Sequence, residues 1–596
     1  MTTREDGPAR PRDLSETELG FAPHRPVPWL SPGELVNAAT KVVVSGLFGS
    51  YADKRELQGT FPDPLLACHP GAEELWLDFV ADVGDGFDPT YTVAWLLAQD
   101  KLDVLTPEGQ TTTSTLPPGS LLVMGGDEVY PTASTRLYED RTKGPYKAAL
   151  PEAPGGGEPR TLLALPGNHD WYDGLTSFLR VFCQGGRIGG WQTTQPRSYF
   201  AVRLPQRWWL LGVDIALGGY VDAPQLAFFR DTVRPLLQAG DGVIVATGKP
   251  SWVETGEHDP DAFNTLDFLD RTVVQGTGAQ VRLWVSGDSH HYARYAEAGG
   301  ARQLVTCGIG GAYLSATHAL PETLTVPPPE ARVRDRSAPV TYHRVATYPD
   351  VATSRRLAKR VWGIPWRNPG FKRLCAGVQA ALLLVLTGAL AWAEQSRPLD
   401  ALQDAGLSEV LSLAGEVGLI GLVAAVAVGG VAGARMLSPG ERGRPHRPLG
   451  PMVAPWLLVA VEVLVALVAL AALVIVPYGD GTLGLFEALA TLAVLAGAAG
   501  LVGAQVFAGW LLAFDHVPAY RGWIFSGQGI EDHKGFLRMH IGRDGALTLH
   551  PVVVDKICHD WRADPGAEPG AAWVVPSGAV PAARLVEPPV VIAREG

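Results

Sequence analysis

The sequence predicts a layered α/β domain joined to a four-helix transmembrane region, followed by a small β-containing C-terminal region. Three observations carry that reading. From 73 to 345, short apolar runs alternate with Gly-rich turns and helical stretches. From 374 to 516, four apolar stretches each reach the roughly 20 residues a spanning helix needs. Past 517, "GFLRMHIGRDGALTLHPVVVDKI" reads as two strands about a turn at "RDG".

Taken in order, residues 1–72 form a polar leader and an amphipathic helix over "ELVNAATKVVVSGLFGSYADKRE" (34–56). The leader has no apolar core of the signal-peptide kind, so the sequence predicts no export of the N-terminus. The runs "LWLDFVAD", "SLLVMGGD", "TLLALPG", "RWWLLGVD", "GVIVATG" and "VRLWVSGD" follow within 73–345. Continuous apolar runs that stop at Asp, Asn or Gly are the pattern of strands buried on both faces. Residues 346–373 are a basic juxtamembrane segment. The four predicted spans are 374–393, about 410–434, 455–476 and 483–514. Arg and Lys crowd before the first span and after the second, and the other two loops have almost none. The positive-inside rule then places both soluble ends in the cytoplasm. Residues 517–596 are expected to be a small cytoplasmic region of their own.

The chain has 596 residues and a formal net charge of −12, so nothing basic points to nucleic acid. Its five cysteines are scattered singly, without a CxxC pair. That fits a reducing compartment and excludes a disulfide framework or a Cys-rich zinc site.

The polar strand ends form an ordered set: Asp82 and Asp85 in "ADVGDGFD", Asp127 in "GGDEVYP", Asn168, His169 and Asp170 in "GNHD", then "ATGKPSW", then Asp288, His290 and His291 in "SGDSHHYARY". In an α/β sandwich, loops at strand ends converge at one edge. Carboxylate, amide and imidazole are the ligand types of Mg, Mn, Fe or Zn. Two such ions sharing a carboxylate would organise displacement at phosphorus.

"GGD", "GNHD" and "GDSHH", in this order over about 75–310, resemble the calcineurin-like metallophosphoesterase superfamily. The resemblance implies a metallophosphoesterase-type βαβ sandwich of two mixed sheets flanked by helices. It implies Asp82 on a first metal, Asp127 bridging two metals, Asn168 on the second and His290 on the first. His169 would be the proton donor to the leaving group, with Asp170 orienting it from behind. Three positions depart from the pattern. Gly84 stands where Asp-x-His is common, with Asp85 the candidate substitute. Gly248 stands where a His precedes Pro, beside Lys249. Asp288 replaces the first His of the closing motif and joins the expected ligands. A site rich in oxygen and poor in imidazole implies Mn, Mg or Fe rather than Zn. His258 and His318 are candidates to fill the gap at Gly248.

The function expected is a membrane-anchored phosphoesterase that hydrolyses a phosphomonoester or phosphodiester by a metal-activated hydroxide, its substrate lipid-linked or membrane-proximal. The alternative is a degenerate metal-binding sensor or regulatory module with little turnover, suggested by Gly248. Asp214 reads as a supporting residue, and the Gly-rich loop 307–313 as a tight turn or an anion cradle. Glu462, inside a span, is expected to reach the interface or a neighbouring helix. Gly421, Ala425, Gly429 and Gly433 form a small-residue face for helix packing, within the bundle or between copies.

Overall fold

The computed structural model describes residues 16–35, 55–69, 71–107, 113–153, 158–216, 219–257, 259–419, 450–475, 484–564, 568 and 570–594. The chain divides into two compact units. One comprises Met1–Val27, Ala38–Arg355 and Ile530–Gly596; the other comprises Pro28–Asn37 and Arg356–Gly529.

The first unit is built on two large mixed sheets. The nine-stranded sheet runs β1 (Leu65–Ala67), β9 (Phe200–Arg203), β10 (Trp208–Val213), β11 (Gly242–Thr247), β12 (Gln280–Ser286), β14 (Gln303–Cys307), β13 (Tyr292–Glu297), β16 (Val340–Tyr348), β15 (Thr323–Val326). The eleven-stranded sheet runs β4 (Thr113–Leu116), β3 (Leu102–Leu105), β21 (Ala583–Leu585), β18 (Leu547–Val554), β17 (Lys534–Ile541), β2 (Leu75–Val80), β5 (Leu121–Met124), β6 (Arg160–Ala164), β8 (Trp191–Thr193), β7 (Arg187–Ile188), with β22 (Val590–Ile592) also on β18. Strands β19 (Trp561–Ala563) and β20 (Val574–Pro576) pair separately.

The apolar runs are strands because each has a core on either side. Leu77, Phe79, Leu121, Val123 and Leu163 meet Val202, Leu210, Ile244, Leu283 and Val285 between the sheets. The alternate residues Val80, Leu122, Met124 and Leu162 pack outward on Phe87, Tyr91, Tyr146 and Phe178, from helices Phe87–Ala98, Gly144–Ala149 and Thr176–Phe182. On the far side of the nine-stranded sheet, Val243, Val245 and Trp284 pack on Trp252, Phe263 and Leu266. The expected sandwich of two mixed sheets flanked by helices is therefore present.

The C-terminal hairpin forms as expected, but not as a body apart. β17 lies antiparallel to β2, with Arg538 opposite Asp78, and β18 lies on β17. Leu537, Met539, Leu549 and Val553 complete the inter-sheet core, and Phe536, Val552 and Val554 complete the outer one. The alternation in those two strands is that of strands inside a sheet, with a core on both faces.

In the second unit, three helices are long and apolar enough to cross a membrane: Pro369–Ala393, Ala454–Ile475 and Leu485–Ala513. The described count is three, not the four expected. The stretch at 410–434 is helical over 407–419, and the rest of it, with Gly421, Ala425, Gly429 and Gly433, lies outside the described residues. Within this unit Glu462 does reach a neighbouring helix: Gln379 Nε2 donates to its Oε2 at 2.7 Å.

Candidate metal centre

Strands β2, β5 and β6 are mutually parallel, as are β11, β12 and β14 in the other sheet. Their carboxyl ends meet at one edge, and the polar residues follow there. Asp82 N–H donates to the Gly126 carbonyl at 3.0 Å, and Asp288 N–H to Asp82 Oδ1 at 3.2 Å. The first link joins the ends of β2 and β5 within one sheet, and the second ties the two sheets together at the site. Asp82, Asp127 and Asp288 all adopt left-handed backbone, with φ of 58°, 55° and 65°. Left-handed non-glycine residues cost about 1 kcal/mol or more each and persist where the surroundings over-determine them. Three carboxylates turned this way at one edge mark a built site.

Asp82, Asp127 and His290 bring one ligand atom each within 4.8 Å of one another, all three buried. A fourth donor joins them that sequence reasoning missed. The Tyr130 hydroxyl lies 3.1 Å from Asp82 Oδ1, 3.0 Å from Asp127 Oδ2 and 3.0 Å from His290 Nε2. A phenol has one proton, and two ionised carboxylates both need a donor. Asp82 Oδ2 is buried with no hydrogen-bond partner at all. A buried orphan carboxylate oxygen costs several kcal/mol unless something charged meets it. Burial, then the repulsion of Asp127 and Asp288, pushes the Asp82 carboxyl well above the usual range. Burial and Asp170 push Asp127 up to about 8, and burial, Asp127 and Glu254 push Asp288 up to about 7. Burial holds His290 down to about 3, hence neutral. A divalent cation reverses each penalty at once. Two carboxylates, a phenol and a neutral imidazole fit a hard or borderline ion.

Asn168 and Asp288 flank this group. The end of the Asn168 amide lies against both carboxylates, 3.1 Å from Asp127 Oδ2 and 3.3 Å from Asp288 Oδ1. His169 donates its backbone N–H to Asp127 Oδ1 at 2.9 Å, and its Nδ1–H to the Pro131 carbonyl at 2.8 Å. That second bond sets the tautomer, so Nε2 is the nitrogen left for proton transfer. Burial lowers the His169 pKa, so its imidazole is neutral near pH 7.

Several expectations about neighbours are corrected. The ring of His169 is oriented by a carbonyl, while Asp170 secures the loops. Its Oδ2 accepts backbone N–H groups of Asp127 at 2.9 Å, Glu128 at 3.3 Å and Gly167 at 2.8 Å, and its Oδ1 accepts the Tyr138 hydroxyl. Asp85 accepts the Val27 N–H at 2.7 Å rather than substituting for an imidazole. Gly84 has φ 70°, and a Cβ there would lie 2.3 Å from the Glu128 carbonyl oxygen, so the first-motif His has no room. A Cβ at Gly248 would lie 2.8 Å from the Pro166 carbonyl oxygen. His318 bonds Ser354 Oγ at 2.8 Å, and His258 lies outside the described residues. His291 is buried beside the ligand group. In the Gly-rich loop, Gly310 and Ala312 N–H go to the carbonyls of Ala81 and Asp82, at 2.9 and 2.8 Å. The loop therefore buttresses Asp82 and is the tight turn of the two readings. Asp214 accepts the Ser198 hydroxyl at 2.6 Å, away from the ligands, as a supporting residue would.

No family model matches this chain, and no curated protein does. Among the solved structures that match over part of the chain are two. One is described as GAP50, the anchor in the inner membrane complex of Plasmodium, at 14% identity and TM-score 0.29, over 40% of this chain and 72% of that one. The other is PhoD, at 11% identity and TM-score 0.26, over 41% of this chain and 58% of that one. Likenesses of this size assign no activity.

Proposed function

We propose that this chain is a membrane-anchored, metal-dependent phosphoesterase of the calcineurin-like kind. The observation that carries the proposal is the buried group of Asp82, Asp127, His290 and Tyr130 around an unpartnered carboxylate oxygen. These four residues would hold a divalent or trivalent ion, Mn, Fe or Mg before Zn. When bound, such an ion polarises a phosphoryl oxygen and lowers the pKa of water. Asp127 keeps the GNHD loop in place through its bond to the His169 N–H. His169 stands one residue past Asn168, and its Nε2, unprotonated in the neutral ring, would first take up a proton from solvent and then pass it to the leaving oxygen. Asp170, through three backbone N–H bonds, fixes the distance between the Asp127 and Asn168 loops.

The apolar helices support an anchor in the bilayer. β2 precedes them in the chain and β17 follows them, yet the two pair in one sheet, which requires an even number of crossings between them. With three described spans, an even number needs the apolar stretch at 410–434 as a fourth. The basic residues then favour a cytoplasmic site and a membrane-proximal phosphate ester as substrate.

The test is hydrolysis of bis(p-nitrophenyl) phosphate and p-nitrophenyl phosphate by the purified full chain with Mn, Mg, Fe and Zn compared. Turnover that is lost in Asn168→Ala and His169→Ala supports the reading. Tight metal binding without turnover on either ester overturns it in favour of a metal-binding sensor.

A further inference from the structure

We propose that the basic and aromatic collar at one end of the long apolar helices, centred on Lys359, Arg360, Lys372 and Arg373 with Trp362 and Trp366, is a recognition surface for the headgroups of anionic phospholipids. The inference rests on the bilayer anchor of the reading above and not on its phosphoester chemistry.

The collar belongs to the second unit and is folded. After the helix Val351–Lys359 come a 3-10 turn, Arg360–Gly363, and the helix Ile364–Arg367, which lead into the long helix Pro369–Ala393. Leu357, Val361 and Ile364 are buried, so one face of these short elements is packed. Gln528 Nε2 donates to the Leu357 carbonyl at 3.2 Å, Gln505 Nε2 to the Trp362 carbonyl at 3.2 Å, and Arg367 Nη1 to Gln528 Oε1 at 3.3 Å. The Trp362 ring lies against Gly509, 3.0 Å from a Cβ added there. Phe371 meets Phe507 with ring centroids 5.1 Å apart, and Trp510 Nε1 donates to the Ala454 carbonyl at 2.7 Å. The starts of two long helices and the end of the third therefore gather at this end of the unit, beside the collar.

The other face of the collar is chemically one-sided. Seven Lys and Arg lie between 355 and 373, all of them exposed, and no Asp or Glu occurs from 351 to 393. Trp362 is 49% exposed and Trp366 69%. Tryptophan settles at the headgroup level of a bilayer, and basic side chains lay their stems on apolar surface while their charges reach the phosphates. Past the far end of Pro369–Ala393 the sign reverses, with Glu394, Asp400, Asp404 and Glu409 against Arg397. Orientation of the chain needs basic residues in this stretch, but it does not need them displayed on a packed collar beside exposed tryptophans. The exposed Val378, Leu384 and Val385 continue the surface along Pro369–Ala393, so what covers the collar also borders an apolar wall. Lipid meets both demands, with phosphate at the charges and acyl chain at the wall. Each Lys or Arg held near an anionic leaflet favours the charged lipid by about fivefold.

In the experiment the full chain is reconstituted into vesicles of phosphatidylcholine and phosphatidylglycerol at about 4:1, recovered by flotation, extracted in mild detergent and purified, and the lipid retained per chain is counted by mass spectrometry. Both leaflets carry the same lipids, so the result does not depend on which way the chain inserts. The variants are the quadruple Lys359→Gln/Arg360→Gln/Lys372→Gln/Arg373→Gln, the charge-keeping Lys359→Arg/Lys372→Arg, and Arg397→Gln at the far end. Wild type should retain phosphatidylglycerol at least about fivefold above its share in the vesicles. The quadruple variant should retain the vesicle ratio, and the other two should match wild type. Extraction at about 1 M salt should bring wild type down toward the vesicle ratio, because exposed charges are then screened. The salt arm uses wild type alone and decides the question should the quadruple variant fail to assemble. Wild type at the vesicle ratio, or an enrichment that neither the quadruple variant nor salt reduces, overturns the collar as a lipid surface, leaves it to a soluble acidic partner, and leaves the anchor standing. A chain that does not float with the vesicles overturns the anchor and the collar together.

Discussion

Removing Asp78 tests whether the strands on either side of the long apolar helices share one sheet. Arg538 on β17 is fully buried and forms a paired contact with Asp78 on β2, Nε–Oδ1 2.7 Å and Nη2–Oδ2 3.0 Å. The two residues face each other in register, although the long apolar helices lie between them in sequence. Asp78→Ala leaves a guanidinium buried without its counter-charge. Breaking one side of a buried pair costs about 3–5 kcal/mol, because the remaining charge stays desolvated. Against a typical total of about 5–15 kcal/mol, that is a large fraction of the stability. In urea, with a slope of about 3 kcal/mol/M, the midpoint should fall by about 1 M or more. The assay is urea unfolding of the full chain in mild detergent, followed by intrinsic fluorescence and by protease sensitivity of the 530–596 segment. The double variant Asp78→Leu/Arg538→Met removes both charges and should recover more than half of the loss. An Asp78→Ala protein within about 0.5 kcal/mol of wild type, the behaviour of a surface position, would refute the pairing of β2 with β17.

Other outcomes follow from the same structure. Tyr130→Phe removes the hydroxyl between Asp82, Asp127 and His290, and should weaken Mn or Fe binding by tenfold or more, measured by competition with a chelator, while the fold remains intact by circular dichroism. His169→Gln should lower kcat by about 10²–10⁴-fold with metal content unchanged; unchanged turnover would remove His169 from proton transfer. Burial raises the Asp214 carboxyl to about 7, so the folded state binds a proton that the unfolded state has released. This group therefore contributes a loss of stability as pH rises from about 4 to 7, and Asp214→Asn should be the more stable protein at pH 8, by up to about 4 kcal/mol, with no advantage at pH 4. Reporter tags at the two ends of the chain should be accessible from the same face of sealed vesicles; opposite faces would contradict the sheet in which β2 and β17 pair.

The edge of the site was legible because buried strands must stop where polar residues begin. Asp82, Asp127, Asn168, Asp288 and His290 each follow an apolar run, and the structure brings them to one place. Tyr130 was not legible, because an aromatic residue in "GGDEVYP" is as readily a core residue, and only the strand ends show its hydroxyl among three ligand atoms. Asp170 lay in a recognised motif, yet its neighbours decide its work: three backbone N–H groups converge on one oxygen, and the ring of His169 finds a carbonyl instead. The two glycines at 84 and 248 read as missing ligands in the sequence. In three dimensions, carbonyl oxygens of Glu128 and Pro166 fill the space where side chains would go. The C-terminal hairpin was legible as two strands, because alternation and a turn are local signals. Its partner β2 was not, because register between strands so far apart is set by the sheet and by the Asp78–Arg538 pair rather than by anything near the hairpin.

The most direct test of the metal centre is the metal content of the purified full chain, beside that of Asp82→Asn, Asp127→Asn and His290→Ala. The structure predicts at least one tightly held transition-metal ion per wild-type chain, lost or weakened in all three variants. Wild-type protein that holds no such ion after growth or reconstitution with Mn and Fe, or variants that keep it, would contradict the assignment of this edge as a metal site.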